Sequence, residues 1–113
     1  MVAAMKLYGT TTSPFVRRVR VVAAECAAPI ELVNTATDAG QAALREVTPI
    51  RKVPVAVVEG RTLFDSRVII DWLTTTRGFG GLAPAHDRWR EANLVNAIDG
   101  ALESAISLFY LRR

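Results

Sequence analysis

Cysteine occurs once in this 113-residue chain, as Cys26, and histidine once, as His86. A single cysteine excludes an internal disulfide and a Cys-x-x-Cys redox centre, and it fits a reducing cytoplasm. One histidine without a Cys/His cluster leaves no metal site to expect. His86, between Pro84 and Asp87, reads as a solvated loop residue. Lysine is scarce as well: twelve of the fourteen basic residues are arginine, for a net charge of +3. Apart from Arg17-Arg18 and Arg112-Arg113 the arginines are scattered, so no nucleic-acid-binding arm is present and small anions are the favoured charged partners. No uninterrupted apolar run approaches membrane-spanning length, so no membrane partner is expected. The start Met1-Val2-Ala3-Ala4-Met5 has neither the charged nor the apolar region of a signal peptide.

What is present is enough for a core. Half the residues are hydrophobic and 22% are charged, the balance of a folded domain, or of one domain with part of another. Met5 to Tyr8 reads as a strand, and Pro14 to Ala27 as a helix whose apolar stripe is Phe15, Val19, Val22, Ala23 and Cys26. Pro29 ends that helix, and Ile30 to Asn34 alternates like a second strand. Asp38 with Gln41 forms a capping-box-like start for a short helix ending at Val47. Val53 to Val58 is a third strand with a proline near its start. A turn at Glu59-Gly60 or Gly60-Arg61 leads to Thr62-Leu63-Phe64 as its hairpin partner.

Asp65-Ser66 opens another helix to about Arg77, with Val68 or Ile69 and Trp72-Leu73 as its inner face. Gly78 to Pro84 is the one glycine- and proline-rich segment, a linker. Beyond it, Asp87 to Leu111 is a long helix with Leu94, Ile98, Ala101, Leu102, Ala105 and Phe109 at helical spacing. The order β-α-β-α-β-β-α, followed by a separate helix, predicts a mixed four-stranded sheet of the thioredoxin-like kind. The expected division is 1–80 for that domain and 81–113 for the linker and the first helix of an incomplete all-α domain.

Ser13-Pro14 is a helix-start signal, because serine caps free N–H groups and proline tolerates the first helical position. A hydroxyl there also lies at the positive end of the helix dipole, where a thiolate or other anion can be held. Both readings stand on the residues alone.

Three motifs in order carry a family resemblance: Ser13-Pro14-Phe15-Val16-Arg17, Lys52-Val53-Pro54 and Phe64-Asp65-Ser66. Met5 to about Arg77 resembles the N-terminal domain of cytosolic glutathione S-transferases, especially bacterial ones with a Ser-Pro-Phe-Val-Arg start. The resemblance implies glutathione as co-substrate, with Ser13 nearest its sulfur and Thr12, Thr11 and Tyr8 as competing hydroxyls. It implies a cis Val53–Pro54 bond that turns the Val53 backbone outward to pair with the tripeptide. Ser66 and Asp65 would hold the γ-glutamyl carboxylate and ammonium. Lys52 would lie near the ligand's backbone or glycyl carboxylate, and Phe15 would join the binding residues. Arg51 stands where relatives often carry glycine.

The implied activity is thiolate attack on an unidentified electrophile. A non-catalytic glutathione-binding or interaction module is the alternative, because only the first helix of the family's electrophile-binding domain is in this sequence. A glutaredoxin-like reductase would want a cysteine at or near Ser13. The broad apolar stripe of the last helix predicts homodimerisation, helix to helix.

Overall fold

The computed structural model describes residues 4–111. β1 (Met5–Gly9) is an inner strand of a four-stranded sheet. β2 (Ile30–Asn34) runs parallel to it, with Leu7 opposite Leu32. β3 (Val55–Val58) runs antiparallel to it, with Tyr8 opposite Val55, and β4 (Arg61–Leu63) closes a hairpin on β3. The hairpin turns at Glu59 and Gly60, both at positive φ (50° and 74°), the conformation that matches the right-handed strand twist. The helices are α1 (Pro14–Glu25), α2 (Asp38–Val47), α3 (Ser66–Arg77) and α4 (Arg88–Leu111). This is the thioredoxin-like β-α-β-α-β-β-α arrangement followed by a long helix, as the sequence predicts.

The two-residue alternation of the strands divides the core between the sheet's faces. Met5, Leu7, Ala56 and Val58 join Val16, Val19 and Ala23 of α1 and Ile69 and Leu73 of α3. Tyr8 and Val55 join Leu44 of α2 in the other cluster.

Several boundaries differ from those read off the sequence, each for a local reason. The core stripe of α1 is Val16, Val19 and Ala23, and Phe15 is only half-buried. The helix ends at Glu25 because Cys26 caps it and Ala27 takes a positive φ of 54°. Thr37, not Asp38, caps α2: its hydroxyl accepts the Gly40 N–H at 3.0 Å, while the Gln41 side chain donates to the Thr35 carbonyl at 2.6 Å. The capping box is therefore replaced by a threonine cap one residue earlier. β3 starts at Val55, after the proline, and β4 starts at Arg61. In α3, Ile69 takes the core position and Val68 is 46% exposed.

The chain divides into two compact units, Met1–Ala83 and Pro84–Arg113. In the second, Asp87 accepts the N–H groups of Trp89 and Arg90 at 3.1 Å each, starting α4. None of the 24 residues of α4 is buried, and Leu94, Ile98, Leu108, Phe109 and Tyr110 are each more than half exposed. At 1.5 Å per residue the helix is about 36 Å long. By length and composition alone it could cross a membrane, with a window of mean hydropathy 1.3. Asp99 and Glu103 lie in its middle, and an acidic residue at a bilayer centre costs about 2.5–3.5 kcal/mol.

Candidate functional site

The sheet brings the three motifs to one end of the first unit. β1 and β3 are antiparallel neighbours, with Tyr8 opposite Val55. The chain leaving β1 at Gly9 toward Ser13 therefore lies at the same sheet end as the chain entering β3 from Val53-Pro54. α1 and α3 pack on one face in a shared cluster. Arg18, little more than a turn into α1, donates to the hydroxyl of Ser66, the first residue of α3, at 3.4 Å. The N-termini of both helices therefore face that same end.

Ser13 is the N-cap of α1, with extended backbone (φ −75°, ψ 126°) and Pro14 at the first helical position. Its oxygen accepts the Val16 N–H at 3.3 Å. An accepted bond uses a lone pair and leaves the O–H proton free to be donated. Capping and donation to an anion are thus compatible in this half-buried hydroxyl. Thr11 and Thr12 are exposed, and the Thr12 hydroxyl is 3.2 Å from that of Thr10. Tyr8 is only 6% exposed and packs with Leu44 and Val55 on the α2 face, across the sheet from α1.

The Val53–Pro54 peptide bond is cis, as the resemblance implies. Pro54 is buried and Val53 half-buried, its side chain packed against both core clusters. The β1–β3 ladder begins at Val55, so the Val53 backbone lies outside it. Arg51 and Lys52, just before, are exposed.

Asp65 caps α3, accepting the Arg67 N–H at 3.0 Å, and the Phe64–Asp65 bond is also cis. Ser66 is 3% exposed, its hydroxyl held by Arg18. Phe15 lies 5.4 Å from the Arg18 guanidinium, ring centre to carbon. Arg18 is the site-end residue that the motifs do not announce. Its one local signal is position: three residues after Phe15 and four before Val22, it flanks the apolar stripe of α1. Gly9 is required where β1 leaves the sheet, because a Cβ there would overlap the Val16 side chain. Among the described residues no group of His, Cys, Asp and Glu could hold a metal ion.

The element order and the mixed four-stranded sheet define a thioredoxin-like domain. The sequence profile of the glutathione S-transferase N-terminal domain matches residues 7–80, and the chain belongs to that family. Over 70 residues it is 36% identical to the uncharacterized GST-like protein YibF of Escherichia coli, covering 61% of this chain and 35% of that protein. A glutathione transferase family member from Pseudomonas fluorescens, solved with bound glutathione, is 27% identical at a TM-score of 0.76. That likeness covers 91% of this chain and 54% of the other. A glutathione transferase homologue from Drosophila mojavensis, also solved with bound glutathione, is 28% identical at a TM-score of 0.59, covering 69% and 36%. The chain thus spans from about a third to about half of these relatives' lengths.

Proposed function

We propose that this protein binds glutathione and activates its thiol for attack on an electrophilic carbon, as a glutathione transferase. The observation that carries the reading is the convergence at one sheet end of two helix N-termini and a cis-proline segment whose backbone lies outside the ladder. An extended peptide can pair with such a segment like an added strand. The Ser66 end of α3 offers backbone N–H groups to the γ-glutamyl carboxylate, and Asp65 offers a carboxylate to the ammonium. Phe15 and Lys52 complete the binding set. The relatives from Pseudomonas and Drosophila, solved with glutathione bound, support the same ligand.

Ser13 is the proposed catalytic residue. A hydrogen bond to a charged group is worth about 1.5–3 kcal/mol, and one pKa unit is about 1.4 kcal/mol. Donation from Ser13 would therefore lower the bound thiol's pKa by roughly one to two units. The thiolate then forms the carbon–sulfur bond as the electrophile's leaving group departs with its electron pair.

Calorimetry with glutathione tests the binding; no heat at millimolar ligand would remove the assignment. The exposed apolar residues of α4 favour a second reading, a non-catalytic glutathione-binding or interaction module. Glutathione binding without turnover of any electrophile would select it. The exposed apolar residues of α4 support association with a second copy, and the mid-helix Asp99 and Glu103 favour that cover over a bilayer. The 1–80 and 81–113 division assigns glutathione binding to the first part. Cys26, free and buried, suits a reducing cytoplasm.

A further inference from the structure

We infer that a cavity at the opposite end of the sheet from Ser13 binds a free α-amino acid with an aromatic side chain. β1 starts at Met5, and antiparallel β3 ends nearby at Val58. Ser13 follows Gly9 at the other end of β1, roughly 13 Å along the strand from Met5. A cavity of about 190 Å³ lies at the Met5 end, lined by Met5, Val58, Glu59 of the hairpin turn, and Trp72, Leu73 and Arg77 of α3. Met5, Val58 and Leu73 are buried and give it an apolar floor. Trp72 is half-buried and adds an aromatic wall, with the Arg61 guanidinium over its ring at 5.6 Å. A dry cavity of about 150 Å³ accepts a benzene ring, so this one accepts a ring with a short substituent.

Two charged groups of the lining select the rest of the ligand. Glu59 is exposed, and among the described residues no hydrogen bond or ion pair engages its carboxylate. It takes a φ of 50° in a two-residue turn closed by the Val58–Arg61 pair. Asparagine, aspartate or glycine suits that position better than glutamate, so the turn itself does not account for the residue. The Arg77 guanidinium is pinned: Nε donates to the Cys26 carbonyl at 3.2 Å and Nη2 to that of Ala27 at 2.6 Å. Of the five N–H donors of a guanidinium, three remain. A carboxylate and a fixed guanidinium on one small cavity match the ammonium and carboxylate of an amino acid, whose side chain then lies on the apolar floor. A simple amine would meet Arg77 with like charge, and a simple acid would meet Glu59 in the same way.

The test uses the full chain carrying Trp89→Phe, so that Trp72 is the one tryptophan left to report. L-Phenylalanine should change its fluorescence saturably with a roughly millimolar Kd, the ordinary efficiency of a ligand of this size. Glu59→Gln should weaken L-phenylalanine roughly two- to fivefold, the range of an exposed ion pair, and should not weaken 3-phenylpropionate, which has no ammonium. 2-Phenylethylamine, which has no carboxylate, should bind more weakly than L-phenylalanine; equal binding would overturn the part given to Arg77. Glutathione should not displace the amino acid, because its proposed site lies at the other end of the sheet. No saturable change across the millimolar range would overturn the inference. Equal losses of L-phenylalanine and 3-phenylpropionate in Glu59→Gln, or displacement by glutathione, would overturn it too.

Discussion

The Arg18 guanidinium donates to the Ser66 hydroxyl at 3.4 Å, tying the first turns of α1 to the first residue of α3 across 48 residues of sequence. Ser66 is 3% exposed, so its hydroxyl needs a partner inside the protein, and Arg18 supplies it. The same guanidinium lies over Phe15, an arrangement worth about 0.5–1 kcal/mol at partly exposed sites. Arg18→Ala should cost about 1 kcal/mol or slightly more of unfolding free energy, combining a long hydrogen bond with the ring contact. Urea denaturation measures it. Unchanged stability would show that the link only accompanies the packing of the two helices.

Ser66→Ala separates anchoring from capping. If the hydroxyl holds a ligand carboxylate, glutathione affinity should fall by about 1–3 kcal/mol by calorimetry. Asp65 already caps the helix from its own side chain, so helix stability alone should change little. An affinity equal to wild type would leave Ser66 as the partner of Arg18 and nothing more.

Ser13→Ala should leave glutathione affinity nearly intact and raise the pKa of the bound thiol, because donation favours the charged sulfur. The sign follows directly: losing the donor costs thiolate at neutral pH, and the deficit closes as pH rises above the thiol's own pKa. Thiolate ultraviolet absorbance against pH, with no electrophile present, reads this without turnover. Superimposable wild-type and mutant curves would direct attention to Thr12 or Thr11. The cap lost with the serine adds a stability cost of about 0.5–2 kcal/mol.

Gly9→Ala is a packing prediction at the same end of the sheet. The added methyl group has no space beside Val16, which is fully buried. Forcing it in should cost about 1–3 kcal/mol, seen as a lowered urea midpoint with an unchanged slope. Since Gly9 leads into the Ser13 segment, glutathione affinity should fall in the same variant. A variant as stable as wild type would mean that α1 yields more readily than its packing implies.

Association through α4 has its own outcome. Sedimentation should show a dimer, and Leu94→Asp combined with Ile98→Asp should convert it to monomer, because both side chains are more than half exposed on this helix. The far-ultraviolet signal of the first unit should persist. A wild-type monomer across the micromolar range would remove the second copy as the cover for these residues.

The sequence by itself determined what local chemistry can determine. Ser13 before Pro14, the alternation in Met5–Tyr8 and Ile30–Asn34, and the Glu59-Gly60 turn each act over a few residues, so element order and the thioredoxin-like class were legible. The three motifs that carry the family resemblance were legible for the same reason, since each is a contiguous run. Tertiary structure decided the rest. Val16 rather than Phe15 took the core position of α1, because the neighbouring sheet and α3, not the helix period, choose which flank of a broad stripe is covered. Tyr8 went to the α2 face because strand alternation assigns sides only once Leu7 has been placed against α1. Thr37 displaced Asp38 as a cap through the path of the incoming chain. Arg18 and Ser66 met because the sheet sets α1 and α3 side by side, and no periodicity in sequence records a partner 48 residues away.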